Sequence, residues 1–266
     1  MATVAIAREP ETGLPVTGYG FITKLAIAMA LTVVAGFTMQ LAMGRSTFAS
    51  PVRVHAHAVT FMGWVALFVT QTQLATRGPL ALHRKLGWIG AGWMIVMLGT
   101  AMTVIVAMAR GGTVPFFFTP RQFLIADPAT LICFVALTGT AIALRRETDW
   151  HARLHVCGMA AIIAPAFGRL LPMPLLTPYA FEAAVAAGLA FPLAGAIRDQ
   201  RVTGRVHPAW WFGIAAIVVT MVLADLVAYS PLGGAIYDAV TAGYPGANVP
   251  GLEFPQPPAT PLLTGR

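Results

Sequence analysis

The 266-residue chain is 57% hydrophobic and only 10% charged, with a mean hydropathy of +0.73. A water-soluble domain carries about 25% charged residues, so this composition excludes an ordinary soluble globule. The net charge of +7 does not point to nucleic acid either, because the basic residues occupy short gaps between apolar runs, the pattern of topology signals.

Positions 1–20 hold Arg8, Glu9, Pro10, Glu11 and Pro15. They read as a cytoplasmic N-terminal segment, because the apolar stretch that follows is too long for the core of a cleavable signal. From there the fold class is all-α membrane, a transmembrane bundle over 21–229. Apolar runs at 21–44, 51–76, 84–109, 122–145, 152–171, 178–197 and 209–229 predict seven crossings, since a bilayer takes roughly 20 residues per helix. Six is the alternative if the first or the sixth does not span. The breaks are "GRST", "TRGPLALHRK", "RGGTVPFFFTPR" and "RRETDWHAR", and the tight turn "LPMPLLTPY" predicts a hairpin between the fifth and sixth helices. The sixth is short and alanine-rich and contains Pro192. The third carries Gly87, Gly90, Gly92 and Gly99, a density that predicts a central packing helix. Segment 230–266, rich in proline and glycine and nearly uncharged, predicts an irregular extracytoplasmic tail lying on the protein or a partner, or partly disordered.

Orientation follows from the basic residues. An N-in start places Arg8, Lys24, Arg77, Arg84, Lys85, Arg145, Arg146, Arg153, Arg198, Arg201 and Arg205 on the cytoplasmic side. Arg45, Arg53, Arg110, Arg121, Arg169 and Arg266 fall on the other, a split of 11 to 6 among the 17. An N-in, C-out chain is predicted. Cys133 and Cys157 fall inside helices without CxxC spacing and read as buried free thiols.

Ionisable residues inside membrane helices are costly, roughly 2.5–3.5 kcal/mol at mid-bilayer, and usually face the bundle interior. Sorted by depth, they form two layers. On the inner side His83 precedes the third helix, His151 and His155 open the fifth, and His207 precedes the seventh. His151 and His155 share a face at i, i+4, a geometry that suits a shared metal or a proton path. Two histidines on facing helices at one depth are what axial ligation of a b-type haem requires. The favoured pair is His83 with His155, and His151 is the alternate. The plain alternative is interfacial histidines that meet water and lipid headgroups. Gln73 with His83 reads either as a contact for a quinone head or as a helix-to-helix hydrogen bond.

The outer layer comprises Arg53, His55 and His57 at the head of the second helix, with Asp127, Arg169, Glu182 and Asp225. His55 and His57 are two apart, about 200° around a helix, so they are not expected to face one cofactor. A copper or zinc site of His55, His57 and Asp127 is one reading, and acid–base or quinone hydrogen bonding is another. Arg169 and Asp225, at similar depth in apolar surroundings, predict an interhelical ion pair.

The stretches "HAHAVTFMGWVALFVTQTQLATRGPLALHRKLGW" and "HARLHVCGMAAIIAPAFGRL" resemble a group of uncharacterised bacterial multi-pass membrane proteins with an LHRxLGW-type loop and several helix-end histidines. The matching positions are His55, His57, Trp64, Gln71, His83, Arg84, Gly87, Trp88, His151, Arg153 and Arg169. The resemblance covers 51–110 and 149–171 and implies a multi-pass protein of the bacterial inner membrane. More distantly, the helix-end histidines are similar to those of cytochrome b561-type haem membrane proteins. That pattern needs paired histidines at both faces, and the outer layer here lacks its second helix, so one haem or none is expected.

Three functions compete. The first is a membrane redox protein with one b-type haem, with quinone as a candidate electron-exchange partner. The second is a non-catalytic subunit or assembly factor of a larger membrane complex or homo-oligomer. The third is a transporter or metal-dependent membrane enzyme that uses the outer polar layer. No phosphate loop, G-x-S-x-G, HExxH or nucleic-acid signature is present; lipid is the expected surrounding.

Overall fold

The computed structural model describes residues 16–257; the N-terminal segment through position 15, with Arg8, and the end of the tail, with Arg266, lie outside them. The described chain is all-helical, and among its residues six helices are long and apolar enough to cross a membrane: Gly20–Ala42, Val52–Arg77, Leu80–Gly111, Pro120–Ala143, Ala180–Thr203 and Pro208–Ala228. Large apolar side chains such as Leu31, Ile95, Ile132 and Leu226 are more than 60% exposed. A folded chain keeps such a belt only where lipid replaces water.

In chain order the helices are α1 (Val16–Ala42), α2 (Val52–Arg77), α3 (Leu80–Gly111), α4 (Pro120–Ala143), α5 (Thr148–Ala161), α6 (Ala164–Leu170), α7 (Ala180–Gly188), α8 (Ala190–Thr203), α9 (Pro208–Ala228) and α10 (Pro231–Thr241). Two of the sequence-predicted crossings are broken, each at a proline. Pro165 has no N–H, and its ring crowds the carbonyl four residues back, at Ala161, where α5 stops. Pro192 does the same to Gly188, where α7 stops, and α8 resumes after Leu189. Starts are marked by the same residue type in its favourable place. Pro120, Pro208 and Pro231 each open a helix behind the caps Thr119, His207 and Ser230, because a first-turn N–H has no partner to lose. Gly112 (φ 67°) and Gly204 (φ 73°) close α3 and α8 in the left-handed region.

The helix at the centre is α5, not the glycine-rich α3. Leu154, Val156, Cys157, Gly158, Met159, Ala160 and Ala161 are all buried, and α5 packs against α1, α4, α7, α8 and α9. Small residues on both sides permit this: Gly213 of α9 abuts Cys157, and Gly158 abuts Thr138 of α4. In α3, Gly87 and Gly90 face Gln71 and Leu67 of α2, but Gly92 and Gly99 have open space where a side chain would stand. Glycine density therefore overstated its burial.

The tail is also more ordered than its composition predicts. Residues 231–241 form α10, with Ser230 Oγ accepting from Gly233 N at 3.4 Å. Behind it Tyr237, 3% exposed, donates its hydroxyl to Gly246 O at 2.9 Å and Val249 O at 3.2 Å. Gly246 sits against the carbonyls of Ala109 and Arg110 at the end of α3. Proline and glycine here serve a helix start and a close approach, not disorder.

Candidate functional site

At the end of the bundle where α3 and α5 begin, three histidines gather. The His83 and His151 rings lie 6.3 Å apart between centroids with planes 82° apart. The His151 and His155 rings lie 4.6 Å apart at 85°. His83 reaches this position because α2 and α3 form a tight hairpin across Gly78, and Gln71 ties the two ends reciprocally. Gln71 Nε2 donates to His83 O at 3.1 Å, and His83 Nδ1 donates to Gln71 O at 3.2 Å. His151 Nδ1 donates to Ala141 O at 2.7 Å, one of the carbonyls left without a partner at the C-terminal end of α4. A carbonyl only accepts, so each of these Nδ1 atoms carries the proton and each neutral ring keeps its lone pair on Nε2. Histidines that ligate a metal are held in this way by their second nitrogen.

The expected pair was His83 with His155, with His151 as the alternate; the His83 ring lies near His151, and His155 packs beside His151. Among the described residues no group of three or more His, Cys, Asp or Glu side chains is disposed to hold a metal ion. Gln73, considered with His83 at the sequence level, is exposed; Gln71, two residues earlier, makes the contact.

Below this cluster a buried ion pair braces the same helix. Arg153 Nε and Nη2 each stand 2.9 Å from Asp199 Oδ2, and Nη1 donates to Asp149 Oδ1 at 3.1 Å. Trp210 Nε1 donates to the same Asp199 oxygen at 2.9 Å. In the sequence Arg153 counted as a topology charge and as one position of the resemblance, not as a buried ion-pair partner. The signal that it is buried was the i, i+4 carboxylate at Asp149 and a carboxylate, Asp199, in the last turns of an otherwise apolar span.

The outer layer divides. His55 is exposed, its Nε2 3.2 Å from Phe48 O, whereas His57 turns inward and lies on Phe61, centroids 4.3 Å apart. The proposed metal set of His55, His57 and Asp127 is therefore not assembled, for the helical-angle reason: two residues on, the side chain faces the opposite way. The Arg169 guanidinium lies over the Phe37 ring at 4.1 Å while Nη1 donates to Pro165 O at 2.7 Å. Among the described residues the buried His57 Nδ1 has no hydrogen-bond partner.

Among the described residues the expected Arg169–Asp225 ion pair is absent. Asp225 Oδ1 instead accepts from Gln122 Nε2 at 2.9 Å, and the same nitrogen donates to Glu182 Oε1 at 3.1 Å. Gln122, 1% exposed, was missed in the sequence because a lone amide next to "FTPR" carries no charge to mark it. Arg53 lies on the exposed first turn of α2, away from both groups. Cys133 and Cys157 are buried free thiols.

No protein-family model matches the chain, and no curated protein and no solved structure shows significant similarity to it.

Proposed function

We propose that this protein is a membrane redox protein that would hold one b-type haem between α3 and α5, with His83 and His151 as the residues that would bind it. One observation carries this reading: two neutral rings 6.3 Å apart, each anchored through Nδ1 to a backbone carbonyl and each keeping Nε2 for a metal. Haem supplies four further nitrogens, so two protein ligands suffice. When bound, the haem would carry a single electron. The chain's own residues set its position: Gln71 fixes the His83 turn, and the Arg153–Asp199 pair fixes the entry of α5. His155, beside His151, is the alternate ligand.

The same reading has seven crossings, N-in and C-out, in the bacterial inner membrane. Residues 148–170, with only Ile162 and Ile163 between α5 and α6, count as one interrupted crossing long enough for a bilayer at about 1.5 Å per residue. Reporter fusions at the two termini test the orientation; both on one side would refute it.

The test of the haem is an absorption spectrum with iron analysis on protein purified from haem-sufficient cells. A Soret band with one iron per chain is expected. It should disappear in His83→Ala and His151→Ala and persist in His155→Ala, all three variants eluting as the wild type. Loss in His155→Ala with persistence in His151→Ala would exchange the ligand. A colourless, iron-free wild type would overturn the reading.

A further inference from the structure

A second feature lies at the opposite end of α3 from the histidines. The α2–α3 hairpin returns the first turn of α2 beside the last turn of α3, so Arg53 and Arg110 border one open groove of about 670 Å³. That volume suits a small-molecule occupant, for which pockets run about 300–1,000 Å³. Met102, Val106 and Ala107 of α3 form its wall, and Tyr244 and Pro245 of the tail form its rim. Among the described residues no carboxylate lines it.

The two guanidiniums differ in what they are already doing. Arg110 is held in place: its Nε donates to Val240 O at 3.0 Å and its plane lies over Tyr244 at 4.5 Å. Those contacts leave its two terminal nitrogens. Arg53 is exposed and, among the described residues, makes no ion pair or hydrogen bond. A groove with two cations at its mouth and an apolar wall along a membrane span selects an occupant that is anionic at one end and hydrocarbon at the other. A planar guanidinium pairs with phosphate oxygens two at a time, and basic residues at a membrane surface attract anionic headgroups.

We propose that this groove is a binding site for an anionic phospholipid, the phosphate held between Arg53 and Arg110 and an acyl chain lying on Met102 and Val106. A free phosphate would use the arginines but leave the apolar wall uncovered, and a zwitterionic lipid would bring its own cation to two others. Because Arg110 and Tyr244 are shared with the tail, the bound lipid also fastens the 244–249 turn to the end of α3. The inference rests on the membrane placement alone and is independent of whether haem is bound.

The test is native mass spectrometry of delipidated full-length protein with equal amounts of phosphatidylglycerol and phosphatidylcholine. Preferential phosphatidylglycerol adducts are expected. Arg53→Gln should lower their retention about fivefold, the loss expected for one juxtamembrane charge, with no change in thermal midpoint and none in phosphatidylcholine retention. Arg53 is the decisive position, since Arg110→Gln also removes the bond to Val240. Arg201→Gln, an exposed arginine in α8 remote from the groove, should have no effect. Equal adducts of both lipids, retention unchanged in Arg53→Gln, or an equal loss in Arg201→Gln would each overturn the proposal. Displacement of phosphatidylglycerol by inorganic phosphate at comparable concentration would overturn the lipid assignment in favour of a simple anion site.

Discussion

Arg153 of α5 and Asp199 of α8 form a fully internal ion pair, each side chain 4% exposed, with both Nε and Nη2 of the guanidinium 2.9 Å from Oδ2. Removing one partner of such a pair strands the other charge, which typically costs about 3–5 kcal/mol. Arg153→Ala and Asp199→Ala should each lower the thermal unfolding midpoint in detergent strongly. The double variant should cost less than the sum of the two, because the Arg153–Asp199 interaction that each single variant removes is then counted only once. Strict additivity would show that the pair is not a unit.

The α5–α9 contact depends on Gly213. A side-chain carbon there would overlap both Sγ and Cβ of Cys157, and overpacking of this sort costs about 1–3 kcal/mol. Gly213→Ala is therefore expected to destabilise. Cys157→Gly should rescue it, whereas Cys157→Ala, which keeps the offending Cβ at 2.5 Å, should not. Equal rescue by both would place the clash on the sulfur alone.

His207 gives the fold a pH dependence outside the spans. It caps α9, its Nδ1 accepting from Ala209 N at 3.2 Å, and burial, then the charge of Arg153, holds its pKa below the ordinary 6.5. The unfolded chain therefore binds the proton more readily. The contribution is complete above about 6.5 and is lost as pH falls from there toward the depressed folded value. Protonation also removes the lone pair that makes the cap. His207→Asn keeps a capping acceptor without titrating, so unfolding midpoints of the variant should fall less steeply than wild type between pH 7 and 5. Parallel curves would exclude the histidine.

The tail is held by two close fits. Gly246→Ala would drive a methyl into Ala109 O, and Tyr237→Phe removes the hydroxyl that donates to Gly246 O and Val249 O. Each should raise hydrogen exchange across 244–251 and speed proteolysis there, Gly246→Ala more strongly. The transmembrane helices should be protected as before. Uniform loss of protection over α3 and α4 would mean that the tail is part of the core.

Much of this molecule was legible in the chain. Apolar length placed six of the seven predicted crossings within a few residues, since a bilayer sets how many residues a helix needs; the fifth, 152–171, is divided at Pro165 into two helices too short to be counted with them, and Pro192 marks by local chemistry a break within the sixth. The 200° between His55 and His57 follows from helix geometry, and so does their divergence. Depth sorting could put His83, His151 and His155 at one face. It could not say which rings touch, because that depends on helix rotation, held here by Gln71 pairing with His83 and by Ala141 receiving His151. Composition misread the tail and α3, since glycine is neutral between loose chain and close packing until a neighbour such as Ala109 or Cys157 is known. Charge misread Arg169 and Asp225, which share a depth but not a partner; Gln122, uncharged and unremarkable in the sequence, takes Asp225. The bilayer's demand for apolar length is written in one dimension, while the pairing of polar groups inside it is decided by which helix faces meet.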